Sequence, residues 1–333
     1  MAEKPLFTGP LFISGMPRSG TKLLRDLVNN HSKISIPTHE SHLIPWMIRK
    51  FGIDYDLNKP AHLEQAVAAF RTTKFFGNYP DKASQVTAEN IRKKYPNKLT
   101  WAGFFEYLFR LMAPEKSGNF VWGDKTPGYI LHYDLLKQIF PAAKFVHIIR
   151  DPRDYALSVQ NAWGRSLYRA AHRWNETMRA VRNKGQKKNE YLEVRYEDLL
   201  ENPAVVLSQI CVFAGLTYEQ GMERLSRVTE NLGEAKGQTT ILSGNKNKFL
   251  ERIPKNKLLR IEELVCTEAE KLSYKMVNRV HYKPLTKKEM FMLKIQDGIS
   301  SARFHMGERG ITKGMQYFLK LHREGSWRQV ETS

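Results

Sequence analysis

The sequence predicts an α/β fold with three layers, in which a central, mainly parallel sheet is flanked by helices on both faces. Short apolar segments alternate along the chain with helical patterns, as in proteins built from β-α-β units. Three segments rich in glycine or charged residues follow predicted strands, where open α/β sheets bind ligands. The 41% apolar content, with 11% aromatic residues, is ample for a packed core.

The first elements are read from apolar periodicity and turn residues. Strands are predicted over residues 10–16 and 33–37, and helices over residues 23–31 and 39–51. Thr38 is expected to cap the last of these helices, and Pro45 is expected to bend or interrupt it. The following segment, about 50–118, is rich in aromatic residues and is predicted to form a helical insertion.

The second half repeats the alternation. Strands are predicted near 119–127, 144–150 and 191–200, and helices at 129–140, from Pro152 onwards and from Pro203 to Phe213. Residues 1–283 are assigned to the main domain, with 50–118 as its acceptor or lid region. Residues 284–333 are assigned to a basic, helical C-terminal extension, through which a homo-oligomer could form.

Charge and cysteine content limit the class of partner. The 53 lysines and arginines against 34 acidic residues give a net charge of +19, which favours nucleic acid, acidic lipid or a multiply charged small molecule. No apolar run approaches the roughly 18 residues of a membrane span, and the first residues lack a secretory pattern. Cys211 and Cys266 match no metal or disulfide framework. We expect a cytoplasmic protein with no membrane span and no nucleic-acid partner.

A glycine-rich turn follows the first strand, in residues 13–24, ISGMPRSGTKLL. Gly15 and Gly20 have the spacing of a phosphate-binding loop, but Lys22 is one position later than in ATP-binding loops, and Arg18 lies inside the loop. Backbone N–H groups at a helix N-terminus form an anion cradle, to which hydroxyl and cationic side chains add. The residues predicted to bind the anion are Arg18, Ser19, Gly20, Thr21 and Lys22.

A second anion-binding segment is predicted in RDPRDYALS. Arg150 ends a strand, and Ser158 lies two helical turns further on. An arginine and a hydroxyl can hold a phosphate through charge-assisted hydrogen bonds. The alternative is that Arg150 forms a surface salt bridge with Asp151 or Asp154.

Together GMPRSGTKLL and VHIIRDPRDYALSV resemble the two nucleotide-binding motifs of the sulfotransferase family. HES (39–41), GDKTP (123–127) and VRYEDLL (194–200) extend the resemblance over about residues 11–215. It is strongest to the branch that includes bacterial and tyrosylprotein sulfotransferases. The resemblance implies a three-layer P-loop-type fold and a sulfuryl-transfer reaction.

The resemblance also implies the donor 3′-phosphoadenosine 5′-phosphosulfate (PAPS), with its desulfated form PAP as product. The Arg18–Lys22 loop would hold the 5′-phosphosulfate, Arg150 and Ser158 the 3′-phosphate, and Tyr196 the adenine. Family members close the site with a basic loop. The candidate here is the segment 237–249, from which three residues are predicted: Ser243, Lys246 and Lys248.

The acceptor must lose a proton as it attacks sulfur, so a base is expected. By resemblance to the tyrosylprotein branch this base is Glu40, with His42 as the alternative. In isolation Glu40 could instead be a first-turn residue that interacts with the helix dipole. Lys125 is expected to stabilise the leaving phosphate, with Arg18 sharing the role.

Three functions are considered, the first of which the resemblance implies. The first is transfer of a sulfuryl group to a hydroxyl or amine of a small molecule. The second is an ATP- and magnesium-dependent kinase. The displaced Lys22, the arginine inside the loop and the strand 144–150, which ends in Arg150 where a magnesium-binding acid would be expected, count against it. The third is a basic anion-binding protein. A sulfuryl group carries less charge than a phosphoryl group, so we expect no metal requirement.

Overall fold

The computed structural model describes residues 7–324, apart from 185–186, 226–227 and 229–235. Within this part of the chain, five parallel strands form one sheet in the order β2-β3-β1-β4-β5. The strands are β1 (Leu11–Gly15), β2 (Ile34–Ser35), β3 (Val121–Lys125), β4 (Lys144–Ile149) and β5 (Tyr191–Arg195).

Fifteen α-helices surround the sheet in the described residues, with two 3₁₀ segments at Pro80–Gln85 and Pro127–His132. The helices are α1 (Thr21–Val28), α2 (Leu43–Phe51), α3 (Pro60–Arg71), α4 (Lys74–Gly77), α5 (Ala88–Lys94), α6 (Trp101–Met112), α7 (Tyr133–Ile139), α8 (Pro152–Trp163), α9 (Leu167–Arg182), α10 (Tyr196–Glu201), α11 (Pro203–Ala214), α12 (Phe249–Arg252), α13 (Lys255–Lys271), α14 (Lys287–Arg309) and α15 (Ile311–Glu324).

Strand β1 occupies the middle of the sheet and fixes the register of its neighbours. Leu11 pairs with Gly123 of β3 and with Lys144 of β4. A Cβ atom at Gly123 would lie 1.9 Å from the carbonyl oxygen of Leu11, so only glycine allows this approach. Because all three strands run in parallel, their carboxyl ends meet at one edge of the sheet.

Apolar side chains cover both faces of the sheet. On one face, Phe12 and Phe145 pack with the aromatic residues of the insertion, among them Phe105 of α6. On the other face, Ile13 and Ile148 pack with α1, α10 and α11. A third buried cluster joins α8, α9 and α13. The predicted three-layer α/β fold, with its helical insertion and helical C-terminal extension, is confirmed.

Local predictions were less accurate around residues 38–51. Helix α2 begins only at Leu43, so Thr38 does not cap it, and Pro45 occupies its first turn, where proline interrupts no hydrogen bond. Arg25 donates a hydrogen bond to the carbonyl oxygen of Thr38, and His42 adopts the left-handed conformation. These constraints hold the residues between them as a loop.

The predicted strand over residues 191–200 ends at Arg195, and α10 follows directly. The C-terminal extension forms an antiparallel pair, α14 and α15, of which α14 packs against α8 and α9. Asp297 of α14 accepts hydrogen bonds from the backbone of Ser166 and from Arg169. Among the residues that the structure describes, no helix combines the length and apolar character needed to cross a bilayer. Residues 325–333 of the predicted extension lie outside the described residues.

Candidate active site

The loop between β1 and α1 has the shape of an anion cradle. Arg18 and Gly20 adopt positive φ values of 74° and 88°, and the backbone N–H of Ser19 donates to the carbonyl of Met16 at 3.1 Å. A Cβ atom at Gly20 would lie 2.4 Å from the ring of Tyr196, so the ring fixes the loop from one side. Thr21 and Lys22 form the first turn of α1. The hydroxyl of Ser19 is buried and has no hydrogen-bond partner among the described residues.

The structure brings the second predicted segment against this loop. Arg150 follows β4, donates to the backbone carbonyl of Arg18 at 3.0 Å, and stacks its guanidinium 4.7 Å from the centre of the Tyr196 ring. Nε of Arg18 lies 3.5 Å from Oγ of Ser158 on α8. The alternative of a surface salt bridge is wrong for Asp151, which pairs with Arg153 at 2.7 Å. The charge of Arg150 acts on Asp154, but both of these side chains are buried. The two segments therefore build one site.

A cavity of about 200 Å³ opens between these elements. Its polar lining includes Arg18, Arg150, Ser158, Tyr196, Asn245 and Lys248. Leucine and isoleucine side chains from α1, α8 and the segment 238–248 form its apolar wall. The combination of cationic and apolar lining suits an anion that carries a flat, less polar group.

Only some residues of the predicted basic loop (237–249) line the cavity. Lys248 lines the cavity and donates to Asn245 at 2.7 Å, whereas Lys246 forms an ion pair with Glu201. Ser243 is exposed and is not part of the cavity lining. Asn245 was not predicted, yet it donates to the hydroxyl of Tyr196 at 2.9 Å and accepts from Arg150 through its backbone carbonyl at 3.3 Å. Nothing in the local sequence NKNKF distinguishes it.

A carboxylate and an ammonium meet at the same edge of the sheet. Nζ of Lys125, at the end of β3, lies 2.6 Å from Oε1 of Glu40. Nε2 of His42 lies 3.3 Å from Oε2 of the same carboxylate. The Lys125 side chain is fully buried, whereas 31% of the Glu40 side chain is exposed.

Burial and charge act in opposite directions on this pair. Burial raises the pKa of Glu40, but the hydrogen bond from His42 and the charge and hydrogen bond of Lys125 together lower this pKa to about 2. Burial lowers the pKa of Lys125, and the charge of Glu40 opposes this effect. The nearby charges of Arg25 and Lys22 lower the pKa of Lys125 further.

A buried hydrogen-bond network positions the pair. The carboxylate of Asp124 accepts from Ser41 at 2.7 Å and from Thr126 at 2.8 Å, and Ser41 also contacts the hydroxyl of Tyr129 at 2.8 Å. The backbone N–H of Ser41 donates to Thr126 at 3.1 Å. The network therefore ties the loop that carries Glu40 to the loop after β3. Ser41 and Tyr129 were not predicted, although Ser41 lies within the HES motif.

The helical insertion reaches the site through Tyr79. The backbone N–H of His39 donates to the Tyr79 hydroxyl at 3.2 Å, and the two rings meet edge to face at 5.5 Å. Glu40 is the next residue along the chain. The insertion therefore contacts the loop beside the carboxylate.

The order of strands places these groups around one loop. Strands β3 and β4 lie on opposite sides of β1, so Lys125 and Arg150 flank the loop that follows β1. Fold and site define a P-loop-type α/β protein with a cavity lined by cationic side chains on one side of the loop and a Lys–Glu pair on the other. The chain belongs to the sulfotransferase family, whose model matches residues 10–220.

Two relatives share part of this region. The nodulation protein NoeE of Sinorhizobium fredii is 29% identical over 158 residues, which cover 46% of this chain and 31% of NoeE. An uncharacterized protein of Aquifex aeolicus is 25% identical over 226 residues, which cover 63% of this chain and 26% of that protein. The matches thus span less than a third of the length of either relative.

Solved structures show the same fold. The sulfotransferase domain from the curacin biosynthetic pathway superposes with a TM-score of 0.54 at 22% identity, covering 81% of this chain and 99% of that domain. The sulfotransferase domain of the Synechococcus PCC 7002 olefin synthase gives a TM-score of 0.53 at 21% identity, covering 82% of this chain and 97% of that domain.

Proposed function

We propose that this chain transfers a sulfuryl group from PAPS to a hydroxyl or amine of a small-molecule acceptor. The observation that carries the proposal is the Lys125–Glu40 pair at 2.6 Å beside the loop of Arg18, with the cationic cavity across that loop. A donor with phosphate at both ends of a nucleoside needs cationic groups at two places and an apolar surface for the base. Lys125 lies on one side of the Arg18 loop, and Arg150 and Lys248 line the cavity on the other side, together with leucine and isoleucine side chains.

Two donor groups support binding of such a ligand. The hydroxyl of Ser19 and Nε of Arg150 are buried without a hydrogen-bond partner in the described part of the chain. A buried unpaired donor costs free energy, which a phosphate oxygen would recover. We assign the 5′ end of PAPS to the Arg18–Lys22 loop and the 3′-phosphate to Arg150 and Ser158, with Lys248 at the closing segment.

Glu40 is proposed as the general base. Its carboxylate is partly exposed, whereas the neighbouring Lys125 is buried, so an acceptor can approach the carboxylate. As the acceptor oxygen or nitrogen bonds to sulfur, its proton passes to Glu40, and the bond from sulfur to the 5′-phosphate oxygen breaks. His42, half exposed and hydrogen-bonded to Glu40, is the alternative base.

Lys125 and Arg18 are proposed to neutralise the charge that develops on the departing phosphate. Both are held in place before the reaction, Lys125 by β3 and Glu40, and Arg18 by its left-handed backbone and Ser158. Pre-positioned cations stabilise a transition state without reorganisation. Because these cations act on a group less charged than a phosphoryl group, we propose that no metal is required.

Ligand-dependent thermal unfolding tests the donor assignment. PAP at a hundred times its dissociation constant should stabilise the fold by roughly 2.7 kcal/mol, whereas ATP with magnesium should give little shift. Stabilisation by ATP and magnesium but not by PAP would assign the site to a kinase. Hydroxyl and amine acceptors are then screened for sulfated products by mass spectrometry. If the protein bound PAP but formed no sulfated product, it would be assigned as an anion-binding protein.

A further inference from the structure

A second cavity, of about 270 Å³, lies between α8, α9 and α14, on the face of α8 that carries Tyr155 and Val159. Ser158, on the other side of α8, lines the first cavity. The second cavity is lined by basic and aromatic side chains, among them Trp163, Arg165, Arg169, Arg173 and Lys294. Nothing in the proposed sulfuryl transfer uses it.

The positive charge of this cavity is not balanced. Asp297 is bound by Arg169 at 2.7 Å and by the backbone of Ser166, and Glu176 pairs with Arg179 at 3.5 Å. Both acidic residues of the lining are therefore engaged. Arg165 and Arg173 form no hydrogen bond or ion pair within the described ranges.

Arg165 is the most constrained of these cations. It is half-buried, and its guanidinium lies 5.4 Å from the centre of the Trp163 ring. Burial lowers the pKa of Arg165, the charge of Asp297 opposes this, and the charges of Arg173 and Arg169 lower the pKa further. Arg165 is partly desolvated and lies near two other cations, so an anion bound by Arg165 and Arg173 would offset their repulsion.

Helix α14, which borders the cavity, also exposes apolar side chains to solvent. Met290 and Lys294 of α14 line the cavity, and the residue after each of them is exposed: Phe291 by 63% and Ile295 by 45%. The same outer surface of α14 continues through exposed Met292 and Ile299. Exposed apolar side chains on a helix that borders a cationic cavity suit a partner that is both anionic and apolar.

The charge of the helix pair identifies the partner. Residues 287–324 contain eight lysines and arginines against four acidic residues, of which Glu289 and Asp297 are already paired with Arg260 and Arg169. A second copy of the chain related by a two-fold axis would place this basic surface against itself. Nucleic acid would use the charges but leave the apolar row exposed to water.

We propose that the second cavity and the outer surface of α14 bind an anionic phospholipid at a membrane surface. The lipid phosphate lies between Arg165 and Arg173, and Phe291 and Ile295 enter the interface. This inference does not depend on the proposed sulfuryl transfer, because no residue of the donor site or of the Lys125–Glu40 pair takes part.

Vesicle co-sedimentation of the full chain tests the proposal. The protein should bind vesicles of phosphatidylcholine mixed with phosphatidylglycerol and should not bind phosphatidylcholine alone. The double variants Arg165→Ala/Arg173→Ala and Phe291→Ser/Ile295→Ser should each weaken binding by about tenfold or more. The charge-matched control is Lys93→Ala/Lys94→Ala on exposed positions of α5, which should bind like the wild type. Circular dichroism during thermal unfolding confirms that each variant is folded.

Several outcomes would overturn the assignment. These are equal binding to both vesicle types, no binding to either, or an equal loss in the control variant. Stabilisation by inorganic phosphate or glycerol phosphate without vesicle binding would assign the cavity to a soluble anion. The surface would be assigned to nucleic acid if the protein bound RNA but not vesicles. In that case Arg165→Ala/Arg173→Ala would abolish RNA binding, and Phe291→Ser/Ile295→Ser would leave it intact.

Discussion

The ammonium of Lys125 lies 2.6 Å from the carboxylate of Glu40, so the proposed base and one of the two cations proposed to stabilise the leaving phosphate are each other's partner in this structure. While the pair is intact, Lys125 neutralises the carboxylate that is proposed to accept a proton. In the proposed reaction, the ammonium of Lys125 also binds the donor phosphate, and the carboxylate of Glu40 becomes more basic because it then shares its counter-charge. The base and the leaving-group cation are therefore coupled.

Glu40→Gln is expected to lower kcat by about 10²–10⁴-fold, the usual contribution of a positioned base. The amide keeps an oxygen that can accept the hydrogen bond from Lys125, so PAP affinity should change little. Steady-state rates and PAP titration calorimetry measure the two effects. The matched control is His42→Ala, which removes the other partner of the carboxylate and should cost less activity. If His42→Ala abolished turnover while Glu40→Gln retained it, the base would be the histidine.

Lys125→Met should change the pH dependence of kcat/KM as well as lower the rate by about 10²–10³-fold. A general base acts when deprotonated, so activity falls as the pH drops through its pKa. With the pKa of Glu40 at about 2, the wild type should show no acid limb from this residue. Without the lysine, only the hydrogen bond and charge of His42 oppose the effect of burial, so the pKa of Glu40 rises and an acid limb should appear at higher pH. Lys125→Arg, which keeps the charge, serves as control; identical pH profiles for the Met variant and the wild type would contradict the coupling.

The cavity geometry predicts unequal roles for the two lysines of the closing segment. Lys248→Ala should weaken PAP binding, because this side chain lines the cavity, whereas Lys246→Ala should have little effect, because Lys246 pairs with Glu201. Arg150→Ala should weaken binding by about 10–100-fold, as expected for the loss of hydrogen bonds to a charged group. Isothermal titration with PAP provides the measurement. A larger loss in Lys246→Ala than in Lys248→Ala would show that the segment is arranged differently when PAP is bound.

Chelation tests the proposed metal independence. Turnover with PAPS should be unchanged after dialysis against EDTA, because Arg18 and Lys125 supply the positive charge at the departing phosphate. Addition of magnesium to the dialysed enzyme is the control and should not raise the rate. Loss of activity on chelation that magnesium restores would refute the proposal that the two cations suffice.

The sequence predicted those parts of the site that depend on local patterns. Gly15, Gly20 and Arg150 follow strands, and the carboxyl ends of parallel strands converge whatever the distance between them in the chain. The strands, the helical insertion and the three layers followed from periodicity in the same way. The roles of Glu40 and Lys125 came from resemblance, and the structure adds that the two residues contact each other across 85 positions.

Other contacts of the site are not indicated by any local pattern in the sequence. Asn245 contacts Tyr196 across 49 residues, and Ser41 contacts Tyr129 across 88. Such hydrogen bonds depend on how distant loops pack, which single-residue propensities do not encode. Thr38 was wrongly predicted as a helix cap for the same reason. Arg25, from the preceding helix, donates a hydrogen bond to the carbonyl of Thr38, and a loop follows before α2 begins at Leu43.

A buried histidine outside the site makes the stability of the fold depend on pH. His147 lies in β4 with no solvent exposure, and its Nδ1 is 2.5 Å from the hydroxyl of Tyr191. That hydroxyl donates its proton to Glu193 at 3.0 Å, so it accepts from an Nδ1–H group of a neutral ring. Nε2 has no partner among the described residues. Burial lowers the pKa of His147 from 6.5 to about 3.

Because the folded-state pKa of His147 is below its unfolded value, the stability that this residue contributes is present above about pH 6.5 and is lost as the pH falls towards 3. Between pH 7 and pH 5 the wild type should lose about 2 kcal/mol of unfolding free energy more than His147→Gln, which does not titrate. Urea unfolding at the two pH values measures this difference. A constant penalty for burying the amide cancels in the comparison, since it is the same at both pH values. Parallel pH dependence in the variant and the wild type would show that His147 takes up no additional proton on unfolding.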